Sequence, residues 1–180
     1  MKLKYALFLL FPAFAFAGDL QHEDESLITQ FDKSFEDYQN YRPYSFHEHG
    51  SEMTLWKSHD HGFSDQYAVN ISTLENRDLK QFKQNQDKPA KKSCSTFSSK
   101  NLNSEPVNGY NSLSWLTRCE HEGKVMTAVQ MVIAGEHKLY HLRKLWKNPV
   151  SEENLSKWTT LLAQTQLCDA SKAEHACPES

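Results

Sequence analysis

The chain has 180 residues, of which 38% are hydrophobic and 24% are charged, and its formal net charge is −3. No cluster of Lys or Arg interrupts this acidic balance. Nucleic acid is therefore not an expected partner, since such binding depends on neutralising phosphates with clustered basic side chains.

The N-terminus carries the three-part pattern of a secretory signal peptide over residues 1–17. Lys2 and Lys4 precede a short apolar run. Ala15 and Ala17 are the small residues that a signal peptidase reads, so cleavage is expected directly after Ala17. The run is shorter than the roughly 20 apolar residues that span a bilayer, which favours removal over a membrane anchor.

The remaining chain, residues 18–180, has a size that usually forms one domain. The full chain has 20 basic and 23 acidic side chains, so loss of the two lysines of the signal peptide changes the net charge from −3 to −5. The sequence therefore predicts a single domain that is periplasmic or secreted, with no membrane span once the signal peptide is removed.

All four cysteines lie in the exported part, and an even number in an oxidising compartment favours disulfides over free thiols. A hairpin between Cys94 and Cys119 would bring these two opposite each other. Cys168 and Cys177 are separated by only eight residues, so they form the second expected pair. Each bridge should contribute roughly 2–4 kcal/mol. A zinc site is the weaker alternative, because there is no C-x-x-C pair.

Residues 110–146 are typical of three antiparallel strands separated by two glycine-containing turns. In the first run the side chains at every second position share a face, which places Trp115 among core residues. The middle run is the most apolar, and Gln130 is the only polar residue on its less bulky face. We therefore expect this run at the centre of a sheet that helices cover.

Three segments predict helices: residues 24–40, residues 73–86, and a segment that Ser151 caps and that continues to Leu167. The first and third have broad apolar stripes and are expected to cover the sheet. The second is polar and peripheral, and Pro89 is expected to close it.

Three further strands are predicted outside the meander, at residues 53–57, 66–72 and 92–102. The fold class that follows is α+β: an antiparallel sheet of about six strands, with N-terminal and C-terminal covering helices and a short peripheral helix.

Two His-x-His-Gly segments enclose the strand-like run at residues 53–57. In extended backbone a His-x-His pair directs both rings to the same side, and neutral imidazole is a common ligand of Zn and Cu. The residues that could form such a site are His47, His49, His59 and His61. The alternative is that both segments are solvated loops with glycine turns.

No catalytic motif is present: the sequence has no G-x-S-x-G elbow, no phosphate-binding glycine loop and no H-E-x-x-H. Histidines of the meander, including His141, are expected to be structural. No catalytic residue is therefore assigned, and an enzyme is the less favoured class.

The composition favours an exported, non-enzymatic binding or accessory domain that two disulfides stabilise. No cofactor is expected, and the partner would be a protein or a small molecule. Exposed aromatic side chains are the usual anchors of interfaces. The candidate surface consists of Tyr38, Tyr41, Tyr44, Phe46 and Trp56. The alternative function is a metal-binding or metal-dependent protein that uses the paired histidines with Zn or Cu.

Overall fold

The computed structural model describes residues 24–31, 41–48, 51–58 and 60–176, and in the second of these ranges it describes the backbone alone. Within these ranges the chain is a mixed α+β fold with one helix in the middle of the chain and one near its C-terminus. No helix of the described part is long and apolar enough to cross a membrane.

Most strands follow one another directly in the chain, without a helix between them. In chain order they are β1 (Glu25–Ile28), β2 (Tyr41–Glu48), β3 (Ser51–Ser58), β4 (Gly62–Thr73), α1 (Leu79–Ser93), β5 (Thr96–Asn103), β6 (Ser112–His121), β7 (Lys124–Ala134), β8 (Lys138–Trp146), α2 (Glu152–Ala163) and β9 (Gln166–Asp169), followed by a 3-10 turn at Ala173–His175. The side chain of Ser151 caps α2 by accepting a hydrogen bond from the backbone N–H of Asn154, as the sequence predicts.

Seven strands form one antiparallel sheet in the order β2-β3-β4-β8-β7-β6-β5, and β1 pairs with β9 in a separate two-stranded sheet. The predicted meander is confirmed, because β6, β7 and β8 pair as neighbours. The central strand is β8 rather than β7, which corrects the expected position of the middle meander strand. The hairpin of β3 and β4 pairs with the free edge of β8 and so moves the centre of the sheet by one strand.

The predicted strand count of about six is one short, because residues 41–48 also form a strand. Pro43 and the nearby histidines make this segment look like a loop, but proline is tolerated on an edge strand, and β2 is an edge. The N-terminal covering helix is wrong over Glu25–Ile28, which is β1. Its partner β9 stabilises this strand through pairing that a single sequence does not reveal, and residues 32–40 lie outside the described part.

The mid-chain helix also differs from its predicted bounds, since α1 begins at Leu79 and runs through Pro89 to Ser93. Asp78 caps it by accepting hydrogen bonds from the backbone N–H groups of Lys80 and Gln81, whereas the sequence predicts a start at residue 73. Proline in a helix interior costs about 3 kcal/mol. Tertiary contacts outweigh that cost here, because a disulfide holds the end of the helix against the sheet.

Helix α2 packs on one face of the large sheet, which we call the α2 face. Its buried residues Leu155, Trp158 and Leu162 join a core cluster with side chains of β4, β7 and β8. Phe31 also belongs to this cluster, with its ring centroid 4.5 Å from that of Tyr67. Leu167, predicted on the helix, lies instead in β9, and it is fully buried.

A lysine lies inside this cluster. Lys144 of β8 has no exposed surface, and its ammonium group forms an ion pair with Asp65 of β4. The same nitrogen lies 4.2 Å from the ring centroid of Trp158 and 5.2 Å from that of Trp146, which is cation–π geometry. Burial lowers the pKa of Lys144 to about 8, and the nearby Asp65 carboxylate partly opposes that shift.

Helix α1 packs on the opposite face, the α1 face, over a smaller core. Leu79 of the helix contacts a cluster that contains the fully buried residues Trp115 and Val132. Trp115 is a core residue, as its alternation predicts. The predicted disulfide between Cys94 and Cys119 is confirmed, and it joins the residue that ends α1 to β6. Cys177, and with it the second predicted bridge, lies outside the described residues.

The buried amine predicts a specific pH dependence of stability. Between about pH 8 and the ordinary lysine pKa of 10.5, the unfolded chain holds a proton that the folded chain has released. Unfolding then takes up a proton, so this group makes the free energy of unfolding rise with pH in that window. Relative to Lys144→Met, the wild-type protein should gain about 1–2 kcal/mol between roughly pH 7.5 and pH 9.5, measured by urea unfolding.

The methionine variant is the control, because it keeps the length of the side chain and removes the titrating group. A wild-type-minus-variant difference that stays constant between the two pH values would contradict the assignment.

Candidate functional site

A cleft of about 130 Å³ lies between α1 and the α1 face of the sheet. We call it the α1 cleft. Its lining is Gln86, Asp87 and Ala90 of α1, Thr117 and Cys119 of β6, Met126, Ala128 and Gln130 of β7, and Arg143 and Leu145 of β8. Apolar walls with a few convergent polar groups are the usual composition of a small-ligand site.

The cleft exists because α1 is held at both ends. At its start, Leu79 is buried against the sheet and Asp78 caps the first turn. At its end, the disulfide between Cys94 and Cys119 fixes the last turn, and Cys119 itself lines the cleft. The middle of the helix therefore lies over a part of the sheet that is polar and not fully packed.

A row of polar side chains crosses three strands on this face. The Nε2 atom of His141 on β8 lies 3.0 Å from the Oε1 atom of Gln130 on β7. The Nε2 atom of Gln130 donates to the hydroxyl of Thr117 on β6 at 3.2 Å. Because the Gln130 oxygen accepts, His141 carries its proton on Nε2. The row fixes the position of Gln130 at the wall of the cleft.

His141 is neutral in this row. Its ring is stacked on Trp115 with an interplanar angle of 4° and meets the edge of Phe82 at a centroid distance of 5.1 Å. Burial lowers the pKa of His141 to about 3, and the charge of Arg143 adds to the effect. A histidine that stays neutral at every physiological pH orients its neighbours and does not exchange protons.

Arg143 is the charged group of the cleft on the side of the sheet. Its guanidinium is partly buried, and among the described residues it has no ion-pair or hydrogen-bond partner. Burial lowers the pKa of Arg143, with no opposing carboxylate to raise it. Arginine remains charged in proteins, so this is a cation held in a partly desolvated place without compensation.

Asp87 is the acidic group on the helix side, and it is 3% exposed. One oxygen, Oδ2, pairs with the ammonium of Lys83 at 2.9 Å. The other, Oδ1, is buried without a hydrogen-bond partner among the described residues. An unpaired buried acceptor costs about 1–3 kcal/mol. The residues that line the α1 cleft thus include a cation without a protein partner and, on the helix side, a carboxylate with one buried, unpaired oxygen.

A second cavity, of about 290 Å³, contains several carboxylates but has a structural explanation. Glu25 accepts hydrogen bonds from the backbone N–H of Glu136 and from the hydroxyl of Tyr140. Asp169 accepts from the backbone and side chain of Ser171. These contacts join β1 and β9 to the large sheet, so the carboxylates are already engaged.

His47 and His61 lie at opposite ends of β3. The backbone of His47 is in β2 opposite Glu52, whereas His61 is in the turn after Ser58. Six strand residues separate the two places, which is about 20 Å at 3.3 Å per residue. His49 and His59 lie outside the described residues. Zn or Cu binding stays a prediction, and the backbone does not bring His47 and His61 together.

Trp56 is the one residue of the candidate aromatic surface whose side chain is described. It is partly buried and packs against the core of the α2 face, with its ring centroid 5.4 Å from Phe31 and 5.2 Å from Tyr67. Tyr41, Tyr44 and Phe46 lie in β2, where only the backbone is described, and Tyr38 lies outside the described part. An interaction surface at these residues stays a prediction.

Sequence reasoning did not identify Arg143 or Asp87 as site residues. The alternation pattern did distinguish Gln130, since it is the one polar residue on an otherwise apolar face of the middle meander run. No such pattern distinguishes Asp87, because in sequence it belongs to a run of polar helix residues. Its burial depends on where α1 packs.

No protein-family model matches the sequence, and no curated protein matches it. The solution structure of cyanobacterial PsbP (CyanoP) from Synechocystis is similar over 83% of this chain and 96% of that chain, with a TM-score of 0.53 and 10% identity. The crystal structure of a protein of unknown function from Pseudomonas aeruginosa is similar over 68% of this chain and 95% of that chain, with a TM-score of 0.41 and 12% identity. The first likeness shows that the fold is PsbP-like.

The partly buried charge of Arg143, which has no partner among the described residues, should lower the free energy of unfolding. We expect Arg143→Met to raise the free energy of unfolding by about 1 kcal/mol, because the thioether side chain fills similar space without a charge to desolvate. Arg118→Met is the matched control. Arg118 is 49% exposed and pairs with Glu152 at 3.1 Å, so its replacement should change stability by less than about 0.5 kcal/mol. Urea unfolding of both variants measures this, and a clear loss of stability in Arg143→Met would contradict it.

The geometry of the histidine segments also has a measurable consequence. Two imidazoles per segment should bind Zn or Cu only weakly, with affinity that falls below about pH 6.5 as protons compete. Calorimetric titration of the mature protein should therefore show no dissociation constant below about 1 μM at neutral pH. Tight binding that both His49→Ala and His61→Ala abolish would reveal a single joint site.

Proposed function

We propose that this protein is an exported, non-enzymatic binding domain and that the α1 cleft is its site for a small anionic ligand. Two observations support export: the signal-peptide pattern of residues 1–17 and the disulfide between Cys94 and Cys119. Disulfides persist in oxidising compartments and are rare in the cytosol.

The single observation that carries the choice of site is Arg143. A partly buried guanidinium without an anion beside it costs free energy in the isolated protein, and a ligand anion would remove that cost. Bidentate pairing with a carboxylate or phosphate is the geometry that arginine favours. Gln130, which Thr117 and His141 fix in place, lies in the same wall and adds a positioned amide.

The composition of the cleft supports binding rather than catalysis. Cys119 is in a disulfide, and the Thr117 hydroxyl accepts a hydrogen bond from Gln130, with no donation to a base among the described residues. Nucleophilic catalysis needs a hydroxyl or thiol within hydrogen-bond reach of a general base. His141, the nearest imidazole, is neutral and engaged with Gln130.

The proposal is tested by titrating the mature protein with sodium acetate or inorganic phosphate at constant ionic strength, followed by amide NMR. We expect saturable shifts at Ala90, Thr117 and Gln130, which line the cleft. Arg143→Gln should remove the saturation, because it removes the charge and keeps a polar side chain.

Arg118→Gln is the matched control and should bind as the wild-type protein does, since Arg118 is on the exposed end of β6 and pairs with Glu152. Shifts that persist in Arg143→Gln, or that map to other parts of the protein, would reject the cleft as the site.

A further inference from the structure

The sheet side of the α1 cleft changes from polar to apolar along its strands. Gln130 of β7 and Arg143 of β8 lie directly opposite each other, and the next pair on the same face is Ala128 and Leu145. Opposite residues on antiparallel strands have Cβ atoms about 4.5–5.5 Å apart, and two residues along a strand cover about 6.6 Å. All four side chains line the cleft. A polar pair and an apolar pair therefore lie within the length of one small molecule.

The guanidinium of Arg143 lies at the polar end of this surface. Burial is the main cause of the lowered pKa of His141, and the positive charge of Arg143 is the second cause, so the guanidinium is close to that ring. The Nε2 atom of His141 lies 3.0 Å from the Oε1 atom of Gln130, the residue opposite Arg143 in the sheet. An anion that pairs with Arg143 would therefore lie beside Gln130.

The apolar end continues past Ala128 and Leu145. Met126 is the next residue of β7 on this face, opposite Cys119 of β6, and both line the cleft. The sulfur of Cys119 is in a disulfide and has no proton to donate. Ala90 adds a methyl group from the helix. Surface of this kind favours a hydrocarbon chain over a further polar group.

The charge and the size of the cleft also limit its ligand. Arg143 supplies one positive charge, and Asp87, the one acidic residue of the described lining, already pairs with Lys83 at 2.9 Å. A ligand with one negative charge therefore neutralises the cleft, whereas a dianion brings a second charge for which the lining offers no cation. The volume of about 130 Å³ is well below the roughly 300 Å³ at which pockets for drug-sized ligands begin. Only a few non-hydrogen atoms fit such a volume.

We propose that the α1 cleft binds a short aliphatic monocarboxylate of about four carbons, with the carboxylate at Gln130 and Arg143 and the hydrocarbon chain on Ala128 and Leu145. This inference rests on the proposed function of the cleft and specifies its ligand class. A free short-chain acid and the head of a long-chain fatty acid share this chemistry, and the small volume favours the free short-chain acid.

The series acetate, propionate, butyrate and octanoate tests the apolar end of the cleft. Titrations of the mature wild-type protein at constant ionic strength, followed by amide NMR, should give dissociation constants that fall about threefold per methylene from acetate to butyrate. Octanoate should bind no more tightly than butyrate, because its chain is longer than the cleft. A constant affinity from acetate to butyrate overturns the inference, and a continued rise through octanoate overturns the short-chain ligand in favour of a long-chain acid.

Two further probes test the charge of the ligand. Butyramide keeps the hydrocarbon chain of butyrate and lacks its charge, so it should not bind measurably. Inorganic phosphate has no apolar part and carries more than one charge, so it should bind at least about threefold more weakly than butyrate. Binding of butyramide as tight as that of butyrate overturns the inference. Tighter binding of phosphate than of butyrate overturns this inference and leaves the proposed function standing.

The position of the hydrocarbon chain is tested by Leu145→Asn, with Leu102→Asn as the matched control. Leu145 is half-buried and lines the cleft, whereas Leu102 lies on the edge strand β5, is 39% exposed and does not line the cleft. We expect Leu145→Asn to bind acetate within about twofold of the wild-type protein and to bind butyrate no more tightly than acetate. Leu102→Asn should keep the wild-type series. A wild-type series in Leu145→Asn overturns the placement of the chain.

The chain-length series in the wild-type protein requires no variant, so the inference is testable even if Leu145→Asn does not fold. Failure of the series with Arg143-dependent binding of acetate intact overturns this inference alone. Absence of Arg143-dependent binding by every one of these anions overturns the proposed function, and this inference with it.

Discussion

The fold depends on a charged amine in its most apolar region. Lys144 has no exposed surface, yet Asp65 and the faces of Trp146 and Trp158 surround its ammonium group. These four residues come from β4, β8 and α2, so the ion pair joins two central strands and the ring of Trp158 brings α2 against the same ammonium group. A buried ion pair is seldom a net source of stability, but breaking it by removing one member is costly. The aromatic contacts around the pair add to the stabilisation of α2 on the sheet.

Buried polar groups have different surroundings on the two faces of the sheet. On the α2 face the buried ammonium of Lys144 has an ion-pair partner and an aromatic enclosure, while Nε1 of Trp146 is buried without a hydrogen-bond partner among the described residues. On the α1 face Arg143 and the Oδ1 atom of Asp87 have no such partners among the described residues. Asp87 belongs to the helix that covers Arg143, next to an apolar core cluster on the same face. Proteins retain such local costs mainly where function requires them, which is why the α1 cleft is the stronger functional candidate.

Sequence reasoning predicted those features that depend on local pattern. The meander, the Ser151 cap and the bridge between Cys94 and Cys119 follow from alternation, capping chemistry and cysteine spacing, and all are confirmed. The pairing of β1 with β9 joins residues about 140 positions apart, and no local sequence pattern predicts this pairing. The cleft was unpredictable for the same reason, because Asp87 and Arg143 are ordinary polar residues until packing places them on facing walls.

The position of α1 connects the disulfide to the proposed site. Pro89 removes a backbone donor near the end of the helix, and a free helix would be expected to stop there. The bridge from Cys94 to Cys119 holds the following turn against β6, so the helix continues and Asp87 stays buried one turn earlier. The disulfide, a bond that persists in the oxidising compartment to which the signal-peptide pattern points, thus holds the end of the helix that forms one wall of the α1 cleft.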